Sequence, residues 1–138
     1  MVHSQATVTI ATFARKCGVG VETVRYYQRR GLLNTPAPAG RGAHGGGVRR
    51  YGEAEFRQLR FIRKAQVAGF TLQQIAELIA LDSTAGRARA RAMARNRIVS
   101  LDAEISELQQ ARDALSRLSN ECTASKGPCP ILAAFDRP

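Results

Sequence analysis

Two cysteines near the C-terminus of this 138-residue sequence, Cys122 and Cys129, have a type and spacing suited to metal or redox chemistry. Six residues separate them, and a Gly-Pro pair directly before Cys129 can turn the chain so that both sulfurs converge. Soft d10 ions such as Hg(II), Cu(I), Ag(I) and Au(I) prefer thiolate ligands, and two thiolates are enough for linear coordination. A structural zinc ion needs four ligands. The histidines, His3 and His44, lie far away in the sequence, and we interpret them as incidental.

The same cysteine pair is compatible with other roles. Two small thiols can pack a loop, or they can form a disulfide, which predicts a thiol-redox or electrophile switch as the alternative. Cys17, the third cysteine, is expected in the core because it falls on the apolar face of a short helix. The sequence contains no nucleophile–base arrangement, phosphate-binding loop or carboxylate pair, and it does not predict an enzyme.

The charge of the chain is strongly positive and unevenly distributed. The net charge is +10, and residues 1–80 hold 12 lysines and arginines against 4 acidic residues, whereas residues 81–138 hold 9 against 7. Such a basic N-terminal part is typical of a protein that binds a polyanion, because neutralised phosphates release counterions. No apolar run approaches the roughly 20 residues that cross a bilayer, and the first residues do not resemble a secretory signal. We expect a cytoplasmic protein without membrane contact.

Two short helices joined by a glycine turn are predicted at the start of the chain. One apolar face has helical spacing, and its members are Ile10, Phe13, Ala14 and Cys17. Gly18 and Gly20 break this helix, and a second helix runs from about Val21 to Arg30, with Gly31 ending it. Because the second helix is rich in arginine and tyrosine, the pair predicts a helix-turn-helix.

A glycine-rich loop over residues 35–47 follows, and no regular structure is expected in it. It is closed by a short extended segment over residues 48–51, which is the layout of a wing beside a helix-turn-helix. From Glu53 a third helix is predicted to point five apolar residues inward, namely Phe56, Leu59, Phe61, Ile62 and Ala65. Thr71 is predicted as the N-cap of a further amphipathic helix.

A long helix is predicted from about Gly86 to Ser119, followed by a short tail rich in turn formers. Its apolar residues fall on steps of three and four and form a seam, made of Ile98, Leu101, Ile105, Leu108, Leu115 and Leu118. A single apolar stripe of this kind needs a partner, so we predict a homodimer paired through the helix over residues 87–119. The predicted domains are 1–81, 82–120 and 121–138.

Three segments of the sequence resemble the MerR family of transcriptional regulators. Residues 13–33, FARKCGVGVETVRYYQRRGLL, are similar to the family's first DNA-binding helices, and GVRRY at 47–51 is similar to the closure of its wing. Residues 65–78, AQVAGFTLQQIAEL, are similar to its second helix pair. The resemblance covers nearly the whole chain and is strongest to the mercury-responsive and copper-responsive members.

The resemblance implies a mainly α fold with a winged helix-turn-helix, a long dimerisation helix in an antiparallel coiled coil, and a short C-terminal effector loop. It also implies an activator and repressor that binds double-stranded promoter DNA as a homodimer. Effector binding would then bend and untwist the DNA and realign the promoter for RNA polymerase, so that switching carries an elastic cost. By motif position the DNA-binding residues are Thr23, Arg25, Tyr26, Tyr27, Arg30, Arg41, Arg49, Arg50, Tyr51 and Lys64.

The resemblance makes Cys122 and Cys129 the metal ligands, but this chain departs from the family at one position. Mercury-type and zinc-type members carry a third cysteine at the start of the long helix, where copper-type members carry serine; this chain has Arg87 there. A cation does not ligate a metal ion, so we do not expect a three-sulfur site. Arg87 beside the cysteine pair would instead offset the charge of the metal complex. Two thiolates carry a net charge of −1 around a monovalent ion and of zero around Hg(II).

Overall fold

The computed structural model describes residues 6–39, 48–81 and 85–138. Across these ranges it contains six helices and one two-stranded sheet. The chain forms two compact units, Met1–Ala90 and Arg91–Pro138. Arg41, which is predicted to contact DNA, lies outside the described ranges, as do the two histidines, His3 and His44.

The first unit opens with the predicted helix pair, α1 at Ile10–Lys16 and α2 at Val21–Arg29. The Thr9 hydroxyl caps α1 by accepting from the backbone N–H of Thr12. Gly18 in the turn has a φ of 70°, a left-handed conformation that glycine adopts without a steric penalty. The helix–glycine–helix prediction is therefore confirmed.

A short antiparallel hairpin follows, with β1 at Pro38–Ala39 and β2 at Val48–Arg49. The prediction that residues 35–47 lack all regular structure is wrong at β1, where Pro38 faces Arg49 across the ladder. Proline is tolerated on an edge strand because its missing N–H is not needed there. The extended segment predicted at residues 48–51 includes β2.

Two further helices, α3 at Glu53–Val67 and α4 at Leu72–Ala80, complete the packing of the first unit. Thr71 caps α4 as predicted, and the Gln74 side chain accepts in return from the Thr71 N–H. The prediction that Phe61 points inward is wrong, because 44% of it is exposed. The inward stripe of α3 is centred on Leu59 and Ile62, and Phe61 falls outside it around the helix.

The core of the first unit gathers residues from α1, α2, α3, α4 and the segment after β2. Phe13 lies at its centre, with its ring stacked on Tyr51 at 4.7 Å and meeting Phe56 edge-on at 4.8 Å. Cys17 is half-buried and packs against this cluster, as predicted. Burial raises the pKa of the Cys17 thiol, and the nearby Arg60 guanidinium opposes that rise.

The second unit consists of most of α5, whose full range is Arg87–Ala124, and of α6 at Pro130–Phe135. The tail, predicted to be rich in turns after Ser119, contains helical residues at two places. The long helix continues past Ser119 to Ala124, because residues 120–124 contain neither glycine nor proline, and α6 then begins with proline at its first turn. The predicted boundary at 120/121 therefore falls inside α5. None of the described helices is long and apolar enough to span a membrane.

Candidate nucleic-acid interface and cysteine site

The surface of α2 and its C-cap residue Arg30 carries four of the ten residues predicted to contact DNA. Arg25, Tyr26 and Arg30 are exposed and Thr23 is half-buried. The Arg30 guanidinium lies over the Tyr26 ring, 5.4 Å from its centroid, a cation–π arrangement that orients both groups. Arg25 faces Glu22 one turn earlier at 3.7 Å, a loose surface ion pair that leaves the guanidinium available.

Two of the predicted DNA-binding residues, Tyr27 and Tyr51, lie in the core. Tyr27 is 4% exposed, and its hydroxyl donates to Gln66 Oε1 at 3.0 Å. Tyr51 is 1% exposed, and its hydroxyl accepts from Gln28 Nε2 at 2.9 Å. Their aromatic rings pack the core beneath the helix-turn-helix.

The base of the wing is braced by two exposed arginines. Arg49 Nη1 donates to the backbone oxygen of Pro36 at 2.6 Å. This hydrogen bond joins β2 to the segment that precedes β1. Arg50 donates to Thr7 twice, from Nη2 to its backbone oxygen at 2.9 Å and from Nε to its hydroxyl at 3.3 Å. The wing base and α2 together line a cleft of about 260 Å³ whose walls are Thr9, Ile10, Arg25, Gln28, Val48, Arg49 and Tyr51.

Lys64 is exposed on α3 and belongs to a second cationic surface. It lines a cleft of about 330 Å³ with Lys16, Arg60 and Arg63, above the half-buried Cys17. Arg60 is held by Glu53 at 2.9 Å, which leaves Lys64 and Arg63 as the outward cations of α3 in this cleft. The sequence prediction included Lys64 but missed its cationic neighbours, although helical spacing places Arg60, Arg63 and Lys64 on adjacent turns.

The predicted metal ligands meet in the second unit. Cys122 lies in the last turn of α5 and Cys129 is the N-cap residue of α6, and their Sγ atoms are 3.6 Å apart. Both side chains are half-buried. The connecting residues thus reverse the chain as the Gly-Pro pair predicts, although Cys122 sits on a helix rather than in a loop.

The two thiols differ in acidity. The pKa of Cys129 lies below its ordinary value because its sulfur accepts from the backbone N–H of Leu132, from the Cys122 thiol and from the N–H of Ile131. The pKa of Cys122 lies above its ordinary value, chiefly because of its hydrogen bond with Cys129. Cys129 is therefore the first of the pair to become a thiolate.

The two sulfurs are close enough to become ligands of one ion after a small movement. Two metal–thiolate bonds of about 2.3 Å in linear coordination span about 4.6 Å, so the sulfurs, 3.6 Å apart in the metal-free chain, would separate by about 1 Å to hold a linear soft ion. Within the described ranges no group of three or more histidine, cysteine or acidic side chains could hold a metal ion. Arg87, the first residue of α5, is exposed.

Comparison with known proteins identifies the family. The family model described as MerR HTH family regulatory protein matches residues 8–81. A second family model, described as MerR, DNA binding, matches residues 56–118. The mercuric resistance operon regulatory protein of Shigella flexneri is 37% identical over 137 residues, which are 98% of this chain and 92% of that protein. The heavy metal-dependent transcription regulator 2 of Rhizobium meliloti is 31% identical over 128 residues, covering 91% of this chain and 84% of that protein.

A solved structure agrees with these relatives. The lead(II) complex of the transcription regulator PbrR691 from Ralstonia metallidurans CH34 has a TM-score of 0.65 and 26% identity, covering 91% of this chain and 97% of that one. The fold class predicted from the sequence is thus confirmed, and the prediction of a regulator rather than an enzyme agrees with both family models. The chain belongs to the MerR family of DNA-binding transcriptional regulators.

Proposed function

We propose that this regulator senses a soft thiophilic metal ion, of the mercury or copper/silver/gold class, through Cys122 and Cys129, and activates its promoter by distorting the DNA. The observation that carries the proposal is the 3.6 Å separation of two free thiols of unequal acidity. The names of the relatives, which include mercuric and heavy-metal regulators, support a metal effector without choosing the ion.

The chemistry of binding divides between the two sulfurs. Cys129 supplies a thiolate at lower pH than an ordinary cysteine, because backbone N–H groups of α6 stabilise its charge. Cys122 must release its proton as it becomes a ligand, so binding is coupled to proton release. The bound ion would supply a cross-link between the end of α5 and the start of α6.

The exposed seam of α5 supports a homodimer. Apolar side chains along the helix stay exposed in the single chain, including Ile98 at 54%, Ile105 at 50%, Leu108 at 69% and Leu115 at 48%. A stripe of this kind is stable in water only when a partner covers it. A second copy of the same helix has the matching length and apolar spacing.

The charges of α5 favour the antiparallel orientation. Residues 87–99 contain five arginines and no acidic residue, whereas residues 100–124 contain five acidic residues and two arginines. Antiparallel pairing places the basic half of one helix beside the acidic half of the other. Parallel pairing would place like charges together, which costs free energy.

A register follows if the antiparallel pair is centred on the seam residue Leu108. Positions at equal distances from the centre then lie at the same level along the pair. In the same register Cys122 of the partner subunit is level with Ala94, two helical turns from Arg87. An Arg87 side chain that reached the bis-thiolate site would offset its charge, which favours a monovalent ion because that complex carries a net charge of −1.

The DNA-binding surface is assigned to exposed residues of the first unit. We propose that Thr23, Arg25 and Tyr26 of α2, with its C-cap residue Arg30, contact bases or phosphates in the groove. The wing and α3 then hold the flanking phosphates through Arg49, Arg50 and Lys64. Arg41 remains a predicted wing contact outside the described ranges. Tyr27 and Tyr51 support this surface from the core. The dimer would bind a palindromic site in the promoter, and bending that DNA carries an elastic cost. RNA polymerase would then engage the distorted promoter.

Metal titration of the purified protein tests this proposal. Hg(II) or Cu(I) added to the unsubstituted chain should produce thiolate-to-metal absorption. This absorption should stop rising once the cysteine pair is fully occupied by metal. The double variant Cys122→Ser with Cys129→Ser should lose it, while Cys17→Ser, which removes the remaining thiol, should retain it. Unchanged affinity in the double variant would show that these cysteines are not the sensor.

A thiol-redox switch is the second candidate, favoured by the same 3.6 Å separation. Peroxide would accept two electrons and two protons from the thiols of Cys122 and Cys129, which would form a disulfide while the peroxide is reduced to water. Peptide mass analysis after mild peroxide, compared with metal challenge, separates the two candidates. If peroxide forms the disulfide and metal produces no thiolate-to-metal absorption band, the redox switch is supported. If metal produces that band and the disulfide does not form readily, the metal sensor is supported.

A further inference from the structure

The side chain of Gln28, in the last turn of α2, contacts the chain on both sides of the wing hairpin, before β1 and after β2. Its Nε2 atom donates to the Tyr51 hydroxyl at 2.9 Å and to the backbone oxygen of Asn34 at 3.2 Å. Asn34 precedes β1 and Tyr51 follows β2, so a single amide spans the two ends of the hairpin. A glutamine amide has two N–H donors, and both are used here.

Tyr51 is the fixed point of this connection. Its backbone N–H and carbonyl both bond to Val8, at 2.8 and 2.9 Å, and its ring stacks on Phe13. The hydroxyl is therefore held at one place in the core, and any movement of the wing base relative to α2 must break its bond to Gln28. Gln28 also lies one turn after Arg25, and both line the 260 Å³ cleft with Arg49.

We propose that Gln28 is a positioning residue for DNA binding, which locks the angle of the wing to α2 so that Arg25 and Arg49 address the same duplex. This rests on the DNA contact proposed for Arg49. Gln28 acts through the wing and not by touching DNA. Its removal should therefore matter only while the wing cation is present, which distinguishes positioning from a general loss of structure.

A double-mutant cycle on DNA affinity tests the proposal. The probe is a fluorescent duplex that the unsubstituted protein selects from a random-sequence pool, with a scrambled duplex as reference. Gln28→Leu should weaken binding about tenfold, which is within the range for residues that share one network. In an Arg49→Ala background the same substitution should change affinity by less than about twofold, because the group that it positions is gone.

The controls separate positioning from folding. Gln66→Leu removes a hydrogen bond of similar kind, from Tyr27 on the α3 side, and should bind DNA like the unsubstituted protein. Gln28→Leu leaves the Tyr51 hydroxyl unpaired, so the pair Gln28→Leu with Tyr51→Phe, which removes both partners, serves if the single variant unfolds. Losses that add in the Arg49→Ala background would overturn the positioning role. Unchanged affinity of Arg49→Ala alone would instead overturn the proposed wing contact on which it rests.

Discussion

The Sγ atom of Cys122 lies 3.6 Å from that of Cys129, and the hydrogen bond between them raises the pKa of Cys122 and lowers that of Cys129. Backbone N–H groups of α6 also point at the Cys129 sulfur, so that one sulfur of the pair gathers the stabilising contacts. The consequence is an ordered pair, in which Cys129 ionises first and Cys122 holds its proton longest. This order has an observable result even when no metal is present.

The pH dependence of alkylation should differ between the two cysteines. Because the pKa of Cys129 is lowered and that of Cys122 is raised, iodoacetamide should modify Cys129 at lower pH, with the Cys122 midpoint above it. Peptide mass spectrometry at a series of pH values measures both midpoints. In denaturant the difference should vanish, and identical or reversed midpoints in the folded protein would contradict the geometry.

Truncation of the core on α3 should be far more costly than truncation on its surface. Leu59 is fully buried, and Leu59→Ala should lower the free energy of unfolding by about 2–5 kcal/mol. Val67 on the same helix is 88% exposed, and Val67→Ala should change it by only about 0.5 kcal/mol or less. Urea unfolding of both variants measures the difference. Equal losses would place the core of the first unit elsewhere.

The periodic parts of this fold could be predicted from the sequence, and its long-range contacts could not. The spacing of Ile10 and Phe13 locates α1, and Thr71 locates the start of α4. Tyr51 lies in an extended segment with no periodicity, and its burial depends on Phe13, which is 38 residues away in the sequence.

The cysteine site shows the same limit. The spacing of Cys122 and Cys129 indicates that they can meet, but turn-forming residues dominate the segment after Ser119, so the sequence does not predict that Cys122 lies on the long helix. The hydrogen bonds that distinguish the two thiols come from the backbone of α6, an element that composition alone did not indicate. Nothing in the spacing of α2 indicates that Gln28 joins the two ends of the wing hairpin.

The seam of α5 should decide the oligomeric state. Leu108 is at the centre of the seam and 69% exposed in the single chain, so Leu108→Glu should convert a dimer to a monomer by light scattering after gel filtration. Val99, 68% exposed on the same helix but off the seam, provides the matched control. Val99→Glu should remain a dimer. A monomeric Val99→Glu variant, or a dimeric Leu108→Glu variant, would argue against the seam.

The central claim is tested most directly by transcription from the bound promoter with a panel of copper, silver, gold, mercury, lead, zinc and cadmium ions. Transcription by the unsubstituted protein and by Cys17→Ser should rise with at least one soft thiophilic ion, from the mercury or copper/silver/gold class, whereas the variant lacking both Cys122 and Cys129 should bind DNA without responding. Transcription that ignores every metal, or that still responds in the absence of both cysteines, would contradict the account.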